Sequence, residues 1–209
     1  MSPRPCTTCR GADDSSSRKE LREETGLVAG ALQHLGSFYA DPGFTNQKLQ
    51  TLTTSNGGQC PCGTATFAID GPPLFRMLCH CTICQAYNDA PFADVTAFRA
   101  RHVHLIDEAS VAFRAWRQPP LVQRGRCVRC EAAALERVRL PVMPHLTLVP
   151  SANVADGSRL PVPEAHIFYA SRVADADDGL PKHAGFVGSQ IAFAKALLGG
   201  LRKARDSSG

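Results

Sequence analysis

The chain has 209 residues, 44% of them hydrophobic and 20% charged, and a formal net charge of +4. That is the make-up of an ordinary globular protein with room for one sizeable core and some terminal material, and so small a charge, with Lys and Arg spread along the chain, argues against a nucleic-acid partner. Apolar stretches fall far short of the roughly 18 residues a membrane span needs, and Met1 to Arg10 lacks the apolar centre of a signal peptide, so a cytoplasmic, thiol-reducing setting away from membranes is expected.

In chain order, residues 1–17 are small, polar and Ser-rich and read as a disordered tail. Residues 18–27 read as helical with a stop at Gly26, and residues 28–56 are mixed and end in TLTTSNGG, a linker pattern. Residues 1–56 are thus expected to be a loosely packed, partly helical or disordered segment ahead of one domain over 57–205. From Gly58 the texture changes to short apolar runs between turn signals: ATFAI, FRML, HVHLI, VAFRAW, LVQRG, LERVRL, HLTLV and HIFYA. Several alternate with period two and prolines punctuate them, which predicts a mainly β domain of short strands with Phe113 and Trp116 in its core. Val187, Ile191, Ala194, Leu198 and Leu201 then fall at helical spacing, predicting an amphipathic helix over 187–204 with a basic end, weakened by Gly199 and Gly200.

Nine cysteines stand at positions 6, 9, 60, 62, 79, 81, 84, 127 and 130. An odd number in tight clusters is unlike a disulfide framework and like metal sites. Cys60-Pro-Cys62-Gly63 and the distant Cys127-Val-Arg-Cys130 each bring two sulfurs close, and two such loops closing on one ion make a tetrahedral four-thiolate zinc site that clamps remote parts of the chain. The alternative is four free buried thiols. Cys79-His-Cys81-Thr-Ile-Cys84 places Cys79 and Cys81 on one strand face with His80 turned away, and a turn brings in Cys84. Three thiolates with an unfilled fourth position is the pattern of a catalytic zinc that accepts a further thiolate. A fourth protein ligand, from His80, His102, His104 or His166, would close that site instead; a redox CxxC is the remaining alternative. Arg124, Arg126 and Arg129 flank the last pair and either steer an anionic thiol or form a solvated face. Cys6 and Cys9 have ligand spacing but no partner pair.

The order CxCG, CHCxxC, CxxC and a late His-Ile resembles the glutathione-dependent formaldehyde-activating enzyme family, whose domain type is shared with centromere protein V, over residues of about 58–185. The resemblance implies a zinc-binding β fold of the Mss4-like type. It implies a structural zinc on Cys60, Cys62, Cys127 and Cys130, and a second zinc on Cys79, Cys81 and Cys84 at which glutathione, the thiol co-substrate, meets formaldehyde. His166-Ile167-Phe168-Tyr169 and Asp178-Gly179-Leu180-Pro181 are similar to the family's C-terminal signature. Two positions depart from the pattern: Gln85 stands where an Arg often follows the third cysteine, and Glu131 where a Gly often follows the final pair, which suggests altered turn geometry there. Two functions follow as expectations: a carbon–sulfur lyase joining or cleaving a glutathione-type thiol and an aldehyde, or a non-catalytic zinc-binding interaction module. The oligomeric state is left open.

Further upstream, KELREETGL at 19–27, with Glu20, Glu23 and Glu24, resembles the second half of a Nudix box, and the stretch to Phe44 resembles ADP-ribose pyrophosphatases of that family. The first half of the box is missing, and about 30 residues cannot build the sheet that positions a nucleoside diphosphate. The segment is read as a remnant.

Overall fold

A computed structural model describes residues 32–39, 48–54, 57–139, 141 and 143–206. The chain divides into two units, Met1–Ser55 and Asn56–Gly209. In the first, β1 (Leu32–Tyr39) and β2 (Lys48–Thr54) form an antiparallel pair whose register shifts between His34 and Ser37. The Thr-rich run 51–54, expected to be part of a linker, is therefore strand: alternating Thr and Leu suit a pleated backbone as well as a loop. The Ser-rich tail, the 18–27 helix, Cys6 and Cys9, and the Nudix-like glutamates lie outside the described residues.

The second unit is mainly β. A three-stranded sheet in the order β3-β4-β7 comprises β3 (Gly57–Gln59), β4 (Thr66–Ile69) and β7 (Val103–Leu105). The larger sheet has eight strands: β5 (Phe75–Cys79), β6 (Ala93–Arg99), β8 (Val111–Ala115), β9 (Val122–Cys127), β10 (Ala133–Val138), β11 (Leu146–Pro150), β12 (His166–Ile167) and β13 (Lys182–His183). Their order is β13-β12-β5-β6-β11-β10-β9-β8. The pairings are antiparallel except at one edge, where β12 runs parallel to both β5 and β13. That parallel edge brings His166 beside Leu78 and Ile167 beside Cys79. It sets a late segment of the chain against the cysteine-bearing end of β5.

Two helices complete the unit: α1 (Thr82–Asn88), directly after β5, and α2 (Phe186–Asp206). The main core lies between the large sheet and α2, with Phe75, Met77, Val95, Ala97, Leu146, Ala196 and Leu197 buried together and Phe193 set edge-on to Phe75 at 5.1 Å. A second cluster of Phe67, Ile69, Phe98, Leu135 and Val149 joins residues of the two sheets.

Helix α2 forms where the apolar spacing predicts but presents a different face. Val187, Ile191 and Leu198 are exposed, whereas Ser189, Ala192, Ala196, Leu197 and Gly200 are buried. Small residues let the helix come close to the start of β5. A Cβ on Gly200 would lie 2.3 Å from the Leu74 carbonyl oxygen, so this glycine permits a close approach rather than merely weakening the helix. Trp116, expected in the core, is 39% exposed and meets Tyr87 edge-on at 6.4 Å. Among the described residues, no helix is long and apolar enough to cross a membrane.

Candidate metal centres

The four-cysteine cluster is built from two tight loops. After β3 the backbone turns back, Gly63 N–H donating to the Cys60 carbonyl at 2.9 Å and Gly63 taking a φ of 75°. After β9, Glu131 N–H donates to the Cys127 carbonyl at 3.0 Å. Glu131 itself adopts a φ of 56°. The left-handed turn is thus kept despite the missing glycine, at a conformational cost of about 1 kcal/mol or more. Backbone amides turn toward sulfur, with Ala65 N–H 3.3 Å from Cys60 Sγ and Arg129 N–H 3.4 Å from Cys127 Sγ.

The sulfurs of Cys60, Cys62, Cys127 and Cys130 all lie within 4.8 Å of one another. Cys60 and Cys62 are 3.5 Å apart, and Cys62 and Cys127 3.7 Å. A regular tetrahedron with Zn–S bonds of about 2.3 Å requires sulfur–sulfur edges of about 3.8 Å. All four are free thiols, far beyond disulfide bonding distance. Burial pushes the Cys60 thiol up to about 11, while hydrogen bonding to Thr64 pulls Cys62 down to about 6. Spacing, donor type and amide support fit a closed four-thiolate zinc site.

The second cluster sits at the junction of β5 and α1. Cys79 ends the strand and Cys81 is the N-cap of the helix, its sulfur accepting from Cys84 N–H at 3.4 Å. The three sulfurs of Cys79, Cys81 and Cys84 lie within 4.8 Å of one another. Cys79 and Cys84 are buried and Cys81 is half-buried, so access to the cluster is over Cys81. Hydrogen bonding to Cys81 and Cys84, reinforced by burial, pushes the Cys79 thiol up, whereas the bonds Cys81 receives from Cys79 and Cys84 pull it down to about 2. Three sulfurs converging on one point are a set that a divalent cation binds as thiolates, displacing their protons. The donor set therefore fits a metal, with three protein ligands.

None of the four histidines considered as a closing ligand joins this cluster. His102 and His104 instead share Asp70, at 2.7 and 3.2 Å. His80 turns away from the sulfurs, as strand alternation requires, and its Nε2 meets His166 Nδ1 at 2.8 Å. His166 Nε2 in turn lies 2.6 Å from Asp178 Oδ2. With Asp178 ionised, the network assigns the Nε2 protons of both rings as donors along the chain His80–His166–Asp178. One hydrogen-bonded line thereby joins the CHC motif, the HIFY motif and the DGLP motif. Burial, and then the neighbouring His166, lower the His80 pKa, so its ring stays neutral. Gln85, in the position of the common arginine, donates to the His80 carbonyl at 2.6 Å and to the Ser171 carbonyl at 2.7 Å, tying the same loops together.

Of the three arginines placed beside the last cysteine pair, Arg124 lies at the other cluster. Its Nη2 approaches Cys84 Sγ at 4.0 Å, and its Nε is 2.9 Å from Glu136 Oε2. Tyr87, on α1 three residues after Cys84, is fully buried; its hydroxyl donates to the Gly125 carbonyl at 2.6 Å and reaches the Leu135 carbonyl at 3.1 Å. The guanidinium groups of Arg124 and Arg126 lie 5.9 and 5.4 Å from its ring centre. Sequence reasoning missed Tyr87 and Glu136. The period-two pattern over 135–140 assigns Glu136 to solvent, and only the covering of that sheet face by α1 reveals its burial.

The model of the glutathione-dependent formaldehyde-activating enzyme family matches residues 55–171, a stretch containing all seven clustered cysteines. No curated protein matches the chain. A crystal structure of a Rhodobacter sphaeroides protein is similar at 14% identity and a TM-score of 0.39, covering 46% of this chain and 85% of that one. That likeness is too distant to bear on fold or function.

Proposed function

The chain belongs to the glutathione-dependent formaldehyde-activating enzyme family, and on that footing we propose that it joins, or in reverse separates, a glutathione-type thiol and an aldehyde at a zinc held by Cys79, Cys81 and Cys84. Cys60, Cys62, Cys127 and Cys130 hold the structural zinc, which ties the β3 loop to the end of β9, and the zinc of the three-cysteine cluster is the second. The observation that carries the reading is the ligand count: four convergent sulfurs in one cluster and three in the other.

When bound, the second zinc supplies a Lewis-acidic position that lowers a thiol's pKa. The residues of the chain do the rest. The three cysteines are positioned by a strand end and a helix start, so their sulfurs face one point. The half-buried Cys81 marks the side from which the thiol arrives. Sulfur of the bound thiol forms a bond to the carbonyl carbon; the C=O π pair moves to oxygen, which takes up the proton the thiol gave up. The product is a hemithioacetal, which for formaldehyde is an S-hydroxymethyl adduct, and cleavage runs the same path backwards.

Equilibrium binding of glutathione to the zinc-loaded protein, set against Cys81→Ser, tests this. Saturable binding that the substitution abolishes is expected. No binding by the unmodified protein, with zinc present at both clusters, would instead indicate a non-catalytic zinc module.

A further inference from the structure

Packing alone does not account for the position of Arg124. It is directly opposite Glu136 in the β9–β10 register, so both side chains leave the same sheet face, the one α1 covers. The Arg124 side chain is 10% exposed and that of Glu136 2%. A buried ion pair offsets its own desolvation at best, so stability does not account for it. The pairing is also incomplete. Among the described residues, Arg124 Nε and His80 Nδ1 are the buried side-chain nitrogens without a directed hydrogen bond. The guanidinium is held by charge, close to Glu136 and with Nη2 toward Cys84.

The charge on the three-cysteine cluster explains the placement. Three thiolates and one divalent cation sum to a single negative charge. A neutral fourth ligand leaves that unchanged, whereas a thiolate doubles it inside a half-buried site where like charges repel strongly. A fixed cation beside Cys84 offsets the added charge, and its N–H groups stabilise sulfur that carries it.

We propose that Arg124, tuned by Glu136, is the specificity-determining residue that makes the Cys79/Cys81/Cys84 site prefer an anionic thiolate to a neutral fourth ligand. The inference rests on the proposed function, since it presumes a metal with an exchangeable position. Glu136 sets the strength of the effect: ionised, it cancels part of the guanidinium charge that the site feels.

The test uses the full chain loaded with cobalt(II), whose visible and sulfur charge-transfer bands report the fourth ligand directly. Reduced glutathione and imidazole serve as the anionic and neutral probes. Because Arg124→Met alone strands a buried carboxylate, the variant is Arg124→Met with Glu136→Gln. It is expected to weaken glutathione binding about 10- to 100-fold, the loss of one charge-assisted contact, and to leave imidazole binding within about twofold. Glu136→Gln alone is expected to move glutathione the other way, to tighter binding, because the guanidinium charge is then uncompensated. A purely structural role predicts that both probes weaken together in both variants, and that result would overturn the inference alone. If the unmodified cobalt protein responds to neither probe, the proposed function fails and the inference with it.

Discussion

The hydroxyl of Tyr87 is one oxygen that fastens the cysteine-bearing helix to the sheet. Helix α1 has seven residues, too short to hold itself together in water. Tyr87 is fully buried, and its single hydroxyl proton is shared between the carbonyls of Gly125 and Leu135, on neighbouring strands where the β9–β10 register shifts. Tyr87→Phe keeps the ring and its contacts with Arg124 and Arg126 but leaves those carbonyls short of a donor. An abandoned buried acceptor costs about 1–3 kcal/mol. At about 2–4 °C per kcal/mol for a unit of this size, the midpoint of thermal unfolding should fall by roughly 2–12 °C. Chelator competition on the zinc-loaded protein should show the three-cysteine site weakened more than the four-cysteine site, since Cys81 and Cys84 stand at the start of α1, whereas α1 reaches the other site through Arg126, which bonds the carbonyls of Ala86 and Glu131. A melting midpoint and a zinc affinity at the three-cysteine site both unchanged from the unmodified protein would refute the claim that this hydroxyl positions Cys84.

Glu131→Gly should stabilise the unit by about 1 kcal/mol in urea denaturation, because glycine adopts the φ of 56° at this turn without strain; a loss of stability would mean that the turn is not strained. Asp178, held at about 2 against an ordinary value of 3.8, first by its hydrogen bond to His166, contributes stability that is fully present above about pH 4 and lost as the pH falls through about 2. Asp178→Asn should therefore melt below the unmodified protein at pH 5, and the gap should close by pH 2; a gap independent of pH would contradict the assignment.

The cysteine spacing carried most of the metal-centre geometry, because ligand sets of this kind are local pairs whose sulfurs the backbone itself converges. Strand alternation also placed His80 away from the sulfurs, and the apolar runs marked much of the β domain. The surroundings of the clusters were less legible. Arg124, Glu136 and Tyr87 meet through a sheet face that only α1 covers, and nothing local distinguishes such a face from solvent. The buried side of α2 was misread for a related reason. Hydrophobic spacing marks a face by its large residues, while close approach to Leu74 selects small ones such as Ala196 and Gly200. The line His80–His166–Asp178 depends on a parallel edge strand that no period-two pattern distinguishes from an antiparallel one.

The central claim, two zinc sites with unequal jobs, is tested most directly by X-ray absorption at the zinc edge on the two-zinc protein, before and after addition of glutathione. Four sulfurs at one site and three at the other predict an average of about 3.5 sulfur ligands per zinc, the fourth position of the second zinc being filled by a lighter atom. Glutathione should raise that average to about 4. An average already at four without glutathione, and unmoved by it, would contradict the account.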